Sequence, residues 1–93
     1  MKLVFTVPAL VDLDEALAYT AERYPRSLAA LRTRLDAALE HVQTYPKSGR
    51  VLENAPGVRV VPLLRFPFRI FYRESAARIE ILHIHHSARK SPF

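Results

Sequence analysis

Residues 8–46, PALVDLDEALAYTAERYPRSLAALRTRLDAALEHVQTYP, decide the architecture of this chain. Leu10, Leu13, Leu17, Ala21 and Tyr24 recur at helical spacing, with Asp12, Glu15 and Glu22 expected to face outward. Thr6 can cap this helix, and Pro8 is tolerated in a first turn, where its missing N–H is not needed. Acids near the start also suit the positive end of the helix dipole. Tyr24-Pro25 breaks the pattern. A second apolar stripe follows at Leu28, Leu31, Leu35, Ala38, Leu39, Val42 and Tyr45, and Pro46, Ser48 and Gly49 end it. Two amphipathic helices with so short a link are expected to lie antiparallel, as a helical hairpin.

Such a hairpin needs a surface to bury against, and both flanks supply strands. Residues 2–7 (KLVFTV) are rich in β-branched and aromatic side chains and are expected to form a short strand. After a Pro- and Gly-punctuated loop over 46–57, three more strands are expected at 58–64, 68–74 and 78–86, with turns at 65–67 and 75–77. Pro62 cannot donate a ladder hydrogen bond, so it belongs at an edge or a bulge. RIEILHIHH at 78–86 is nearly continuous in apolar residues, as a central strand would be. The order β-α-α-β-β-β predicts an α+β fold, a helical hairpin packed on one face of a small, mostly antiparallel sheet. The whole chain, 1–93, forms one domain.

Composition narrows the function. There is no cysteine, which removes disulfides and thiolate metal sites and suits a reducing compartment. The apolar start MKLVFTVPALVDLDE is interrupted early by Asp12, Asp14 and Glu15, so it is not expected to be a secretory leader. No run is long enough to span a membrane, and a cytoplasmic location is expected. The net charge is +5, and its distribution is uneven. Residues 1–57 carry seven bases and seven acids, whereas 58–93 carry seven bases and two acids, together with His83, His85 and His86. A basic half on a small domain points to an acidic or phosphate-bearing partner.

Five segments, in order, resemble the RelE/ParE superfamily of toxins. They are the helix entry PALVDLDEALAYTAERYP, the Tyr45-Pro46 to Ser48-Gly49-Arg50 loop, Val58-Arg59-Val60, the Phe66-Pro67-Phe68-Arg69-Ile70-Phe71-Tyr72 hairpin, and the ending Ile81-Leu82-His83-Ile84-His85-His86-Ser87-Ala88-Arg89. The FPF hairpin and HSAR ending look closer to ParE, or plasmid-stabilisation, members than to RelE. The resemblance implies the toxin of a type II toxin–antitoxin system, neutralised by a cognate antitoxin, with no cofactor. ParE-type members inhibit DNA gyrase; RelE-type members cut messenger RNA on the ribosome.

The two targets make different demands. RNA cleavage needs a base for the 2′-hydroxyl, an acid for the leaving oxygen and cations for the phosphate. His86, Arg89 and Arg69 are the candidates for that chemistry: histidine titrates near neutrality and arginine grips phosphate. Arg69 and Arg89 match phosphate-binding positions of RelE-type members. Val61, however, stands where those members carry a second basic residue beside Arg59, and Phe93 offers no aromatic hydroxyl. For target binding without cleavage, the candidates are Arg59, Arg69, Arg73, His83, Arg89 and Lys90. Strand alternation puts His83 and His85 on one face and His86 on the other, unless a bulge intervenes, and lets Arg69 and Arg73 share a face with Phe71. Arg50 is expected to anchor its loop. His83 and His85 could offer two metal ligands, but no third stands at a readable spacing, so no metal site is assigned.

Overall fold

Thr6 turns the chain from strand into helix. Its Oγ1 accepts the Ala9 N–H at 3.3 Å and donates to the Ile81 carbonyl at 2.8 Å, so one hydroxyl both caps a helix and ties it to a distant strand. The computed structural model describes residues 1–93. Strand β1 (Lys2–Phe5) leads into helix α1 (Val7–Arg23), a short 3-10 turn at Pro25–Ser27 and helix α2 (Leu28–Thr44). Strands β2 (Arg50–Val51), β3 (Val58–Pro62), β4 (Phe68–Ser75) and β5 (Arg78–His86) complete the chain. The sheet order is β1-β5-β4-β3-β2, with β1 parallel to β5 and the other pairs antiparallel. The expected α+β order is therefore present, with the two-residue β2 added inside the expected loop. Pro62 ends β3 beyond the reach of β2, where no neighbour requires its missing N–H.

Both helices cover one face of the sheet. Ala9 and Ala16 from α1 and Leu31, Leu35 and Val42 from α2 join Phe68, Ile70, Tyr72, Ile79, Ile81 and Ile84 in the main core. A smaller cluster, Ala55, Val58, Val60 and Phe71, lies on the other face. The buried stripe of α1 differs from the one its leucines suggest. Ala9, Asp12, Ala16 and Thr20 face the sheet, while Leu10 is 49% exposed. Small side chains let the helix axis approach the strands closely, and the leucines then flank the contact. Tyr24 and Tyr45, expected on the apolar stripes, are exposed at the helix ends. Because α1 starts at Val7, its first turn holds no acid, and Asp12 serves packing rather than the dipole.

A latch closes the loop after α2. The Tyr72 hydroxyl, fully buried, donates to the Pro46 carbonyl at 2.8 Å and accepts the Gly49 N–H at 2.9 Å. A Cβ on residue 49 would sit 2.6 Å from that hydroxyl, which is why glycine stands there. Arg59 completes the clasp by donating to the carbonyls of Lys47 and Gly49. Arg50 was expected to anchor this loop, but its side chain is exposed and Arg59 holds the loop instead.

One irregularity sets the face of every residue near the end of β5. Phe71 pairs with His83 but Tyr72 pairs with Ile81, so Leu82 is left over as a bulge. Ile79 and Ile81 face the helices before it and Ile84 after it, a switch from odd to even positions. On β4 the alternation is unbroken: Phe68, Ile70 and Tyr72 face the helices, and Arg69, Phe71 and Arg73 face away.

Candidate functional site

The candidate site forms because β1 is short. It pairs only with Arg78–Ile81, so the outer edge of β5 beyond Ile81 has no strand beside it. Helix α1 crosses there, and Asp12 fills the gap. Its Oδ2 accepts the backbone N–H of Ile84 at 3.0 Å, satisfying a donor that would otherwise be buried and unpaired. The same oxygen lies 3.0 Å from His83 Nδ1 and 3.5 Å from His85 Nε2. Asp12, expected to face solvent, is 7% exposed. Sequence reasoning missed it because it followed the large apolar residues. The spacing Ala9, Asp12, Ala16, Thr20 is itself helical and could have revealed the buried face.

His83 and His85 share the open side of the sheet, as alternation predicts, with ring centroids 4.9 Å apart. Phe71 packs edge-on against His85, and Phe93 packs against both Phe71 and His83, so the C-terminal tail partly covers this face. His85 is buried, and its Nδ1 makes no hydrogen bond. Burial holds its pKa below the ordinary imidazole value, and the positive charge of Arg89 adds to the effect while the Asp12 carboxylate opposes it.

His86 points to the helix side. It packs edge-to-face against Tyr19 and Phe68, and its Nδ1 accepts the Ala88 N–H at 3.1 Å. With Asp12, Glu15, Tyr19 and Arg89 it lines a cleft of about 320 Å³. Asp12 thus stands between the cleft and the open-face histidines.

The arginines divide into three groups. Arg69 lies on the open face, stacks over the Phe71 ring at 5.2 Å and donates to the Arg89 carbonyl at 2.9 Å, which pins the tail. Arg73 shares that face, but Glu80 holds it through two hydrogen bonds near 3 Å and also binds Arg78. Arg59 sits opposite Tyr72 on the helix side, away from Arg69 and Arg73, and is occupied by the loop carbonyls. Arg89 and Lys90 are exposed beyond β5. Of the residues considered for RNA cleavage, His86 and Arg69 therefore occupy opposite faces of the sheet. Of those considered for target binding, Arg69, Arg73 and His83 come together on the open face, Arg89 and Lys90 lie at its margin, and Arg59 is elsewhere.

Two helices on one face of a mixed five-stranded sheet whose first strand runs parallel to its last define a RelE/ParE-type toxin fold. The chain aligns with a structure of the chromosomal ParDE toxin–antitoxin system from P. aeruginosa at a TM-score of 0.79 and 28% identity, covering 92% of this chain and 95% of that one. The isolated E. coli RelE toxin shares the fold at a TM-score of 0.67 and 18% identity, over 97% of this chain and 87% of that one. None of the curated protein sequences matches significantly. The family model for the ParE toxin of the type II toxin–antitoxin system parDE matches residues 3–91. The chain belongs to the ParE toxin family. It is accordingly the toxin of a type II system, and its partner is a cognate antitoxin. No helix is long and apolar enough to cross a membrane.

Proposed function

We propose that this toxin inhibits DNA gyrase and does so as a binding protein, without cutting nucleic acid. The observation that carries the second half of the reading is the separation of His86 from Arg69 across the sheet. In-line attack on a phosphodiester requires acid, base and cation to converge within a few ångströms of one phosphate. Here His86 is packed between Tyr19 and Phe68, and His83 and His85 are engaged by Asp12. The open face and its margin, with the cations Arg69, Arg73, Arg89 and Lys90 beside the rings of Phe71 and His83, instead offer a basic, aromatic-backed surface suited to an extended acidic or nucleic-acid-bearing target.

The antitoxin is proposed to cover a different region. A groove of about 400 Å³ between α2 and β3, lined by Ala38, Val42, Val61, Leu63 and Leu64, lies next to the stretch of β3 that β2 leaves unpaired. A segment that folds on binding could place a helix or a strand there, and an acidic one would complement the net charge of +5.

The test is a supercoiling assay with purified gyrase and relaxed plasmid, run beside a ribosome-dependent mRNA cleavage assay. Loss of supercoiling with accumulation of linear plasmid, and intact mRNA, is the expected result. Cleaved mRNA with unaffected gyrase would reverse the assignment.

A further inference from the structure

We propose that Asp12, His83 and His85 together form a binding site for a late first-row divalent cation, Zn²⁺ foremost, joining helix α1 to the end of strand β5. The inference does not depend on which target the toxin attacks. Two imidazoles and one carboxylate, drawn from positions 12, 83 and 85, each offer one ligand atom, and these atoms all lie within 4.8 Å of one another. A tetrahedral ion with ligand bonds of about 2.0–2.1 Å needs neighbouring ligand atoms roughly 3.3 Å apart. The separations from Asp12 Oδ2 to His83 Nδ1 and His85 Nε2, 3.0 and 3.5 Å, bracket that value. The two histidine nitrogens must draw closer, and His83, whose side chain is 26% exposed, has room to rotate.

The site is also held from behind, as metal ligands generally are. Asp12 is fixed by the Ile84 N–H and by the packing of α1, and His85 is buried against Phe71. Three protein ligands leave a fourth position for water or for a group on a partner. The ligand set selects the metal: imidazole nitrogen favours Zn²⁺, Cu²⁺, Ni²⁺ and Co²⁺, whereas Mg²⁺ and Ca²⁺ prefer oxygen throughout. Binding would replace the Asp12–His83 hydrogen bond with bonds from both groups to the ion, leaving the other ring nitrogen of His83 to carry the imidazole proton. Asp12 supplies the countercharge, and Arg89, the base whose charge reaches His85, is exposed at the margin.

The experiment uses the full chain without an affinity tag, stripped with a chelator and then titrated with ZnCl₂, CoCl₂ or MgCl₂. One Zn²⁺ per chain is expected, with a rise in melting temperature on the order of 10 °C at a hundredfold excess over Kd. Co²⁺ should show the intense visible absorption of four-coordinate geometry, and Mg²⁺ should do nothing. His83→Ala and the milder His83→Asn, each checked for a cooperative melt without metal, should weaken Zn²⁺ binding at least tenfold. His41→Ala and His86→Ala should leave it unchanged. No thermal response to Zn²⁺ or Co²⁺ would overturn the proposal, and so would an undiminished response in both His83 variants.

Discussion

Asp12 stands in for a missing strand: its Oδ2 accepts the Ile84 N–H at 3.0 Å where β1 has already ended. A helix side chain thereby completes the ladder of a sheet. The same contact fixes how closely α1 approaches β5, and it draws His83 and His85 toward one carboxylate.

Removing that carboxylate should be costly. Asp12→Ala strands the Ile84 N–H in a buried setting and should lower stability by about 2–3 kcal/mol. Asp12→Asn keeps an acceptor for Ile84 but loses the charge toward His83, and should cost only about 1 kcal/mol. Urea denaturation of the three proteins checks the order. Equal midpoints for Asp12→Ala and the parent chain would show that water replaces the carboxylate.

Tyr72 gives a second test, remote from the site. Its hydroxyl satisfies both Pro46 and Gly49, so Tyr72→Phe leaves the buried Gly49 N–H and the half-buried Pro46 carbonyl without that partner and should cost about 1–3 kcal/mol. Gly49→Ala should destabilise the chain as well, because the new methyl meets the Tyr72 hydroxyl at 2.6 Å and the ring edge at 2.8 Å. Thermal melts followed by circular dichroism measure both.

The β4–β5 turn should be improvable. Ala76 and Ala77 both have positive φ, at 50° and 61°, in a two-residue connection where Ser75 pairs with Arg78. Left-handed backbone costs an L-residue with a Cβ roughly 1–2 kcal/mol, and Asn-Gly is the pair this turn geometry prefers. Ala76→Asn with Ala77→Gly should therefore raise stability by about 1 kcal/mol after the extra entropy of glycine is counted. An unchanged or lower melting temperature would count against the strained turn.

These cases show what the sequence made legible. Helix–turn–helix periodicity and the run of β-rich segments specified the element order, because each follows from local spacing. The face of each helix was less legible in α1: Leu10 drew attention, yet Ala9, Asp12 and Ala16 make the contact. A hydrophobicity pattern weights residues by size, whereas close helix–sheet packing selects small ones. The site was half legible. His83 and His85 fell on one face as alternation requires, but their shared partner lies 71 residues from His83 along the chain, a distance no local spacing encodes. The Arg73–Glu80 pair, only seven residues apart, depended instead on the exact register of the β4–β5 hairpin, which strand alternation alone does not fix.

Target engagement should depend on the exposed margin more than on the engaged arginines. Arg89→Glu with Lys90→Glu reverses two exposed charges and should weaken gyrase inhibition at least about tenfold, with a marked loss of salt dependence. Arg26→Glu with Arg32→Glu, two exposed charges in the 3-10 turn and on α2, makes the same change in net charge and should change little. Equal loss in both variants would mean that overall charge, rather than this margin, governs the interaction.

His85 predicts how stability should vary with acidity. Its folded pKa lies below the ordinary 6.5, through burial first and the charge of Arg89 second. The unfolded chain therefore binds a proton at a pH where the folded chain does not, so stability must rise with pH across that window. The contribution is complete above about pH 6.5 and is lost as pH falls toward the lowered folded value. The urea midpoint should accordingly drop between pH 7 and pH 5.5 in the parent chain. His85→Gln, neutral throughout, should lose much of that slope even if its absolute stability is lower. Asp12 pulls the His85 pKa upward, so Asp12→Asn should steepen the dependence. A parent chain whose midpoint rises on acidification would contradict the depressed pKa, since only a group that binds its proton more tightly when folded gives that sign.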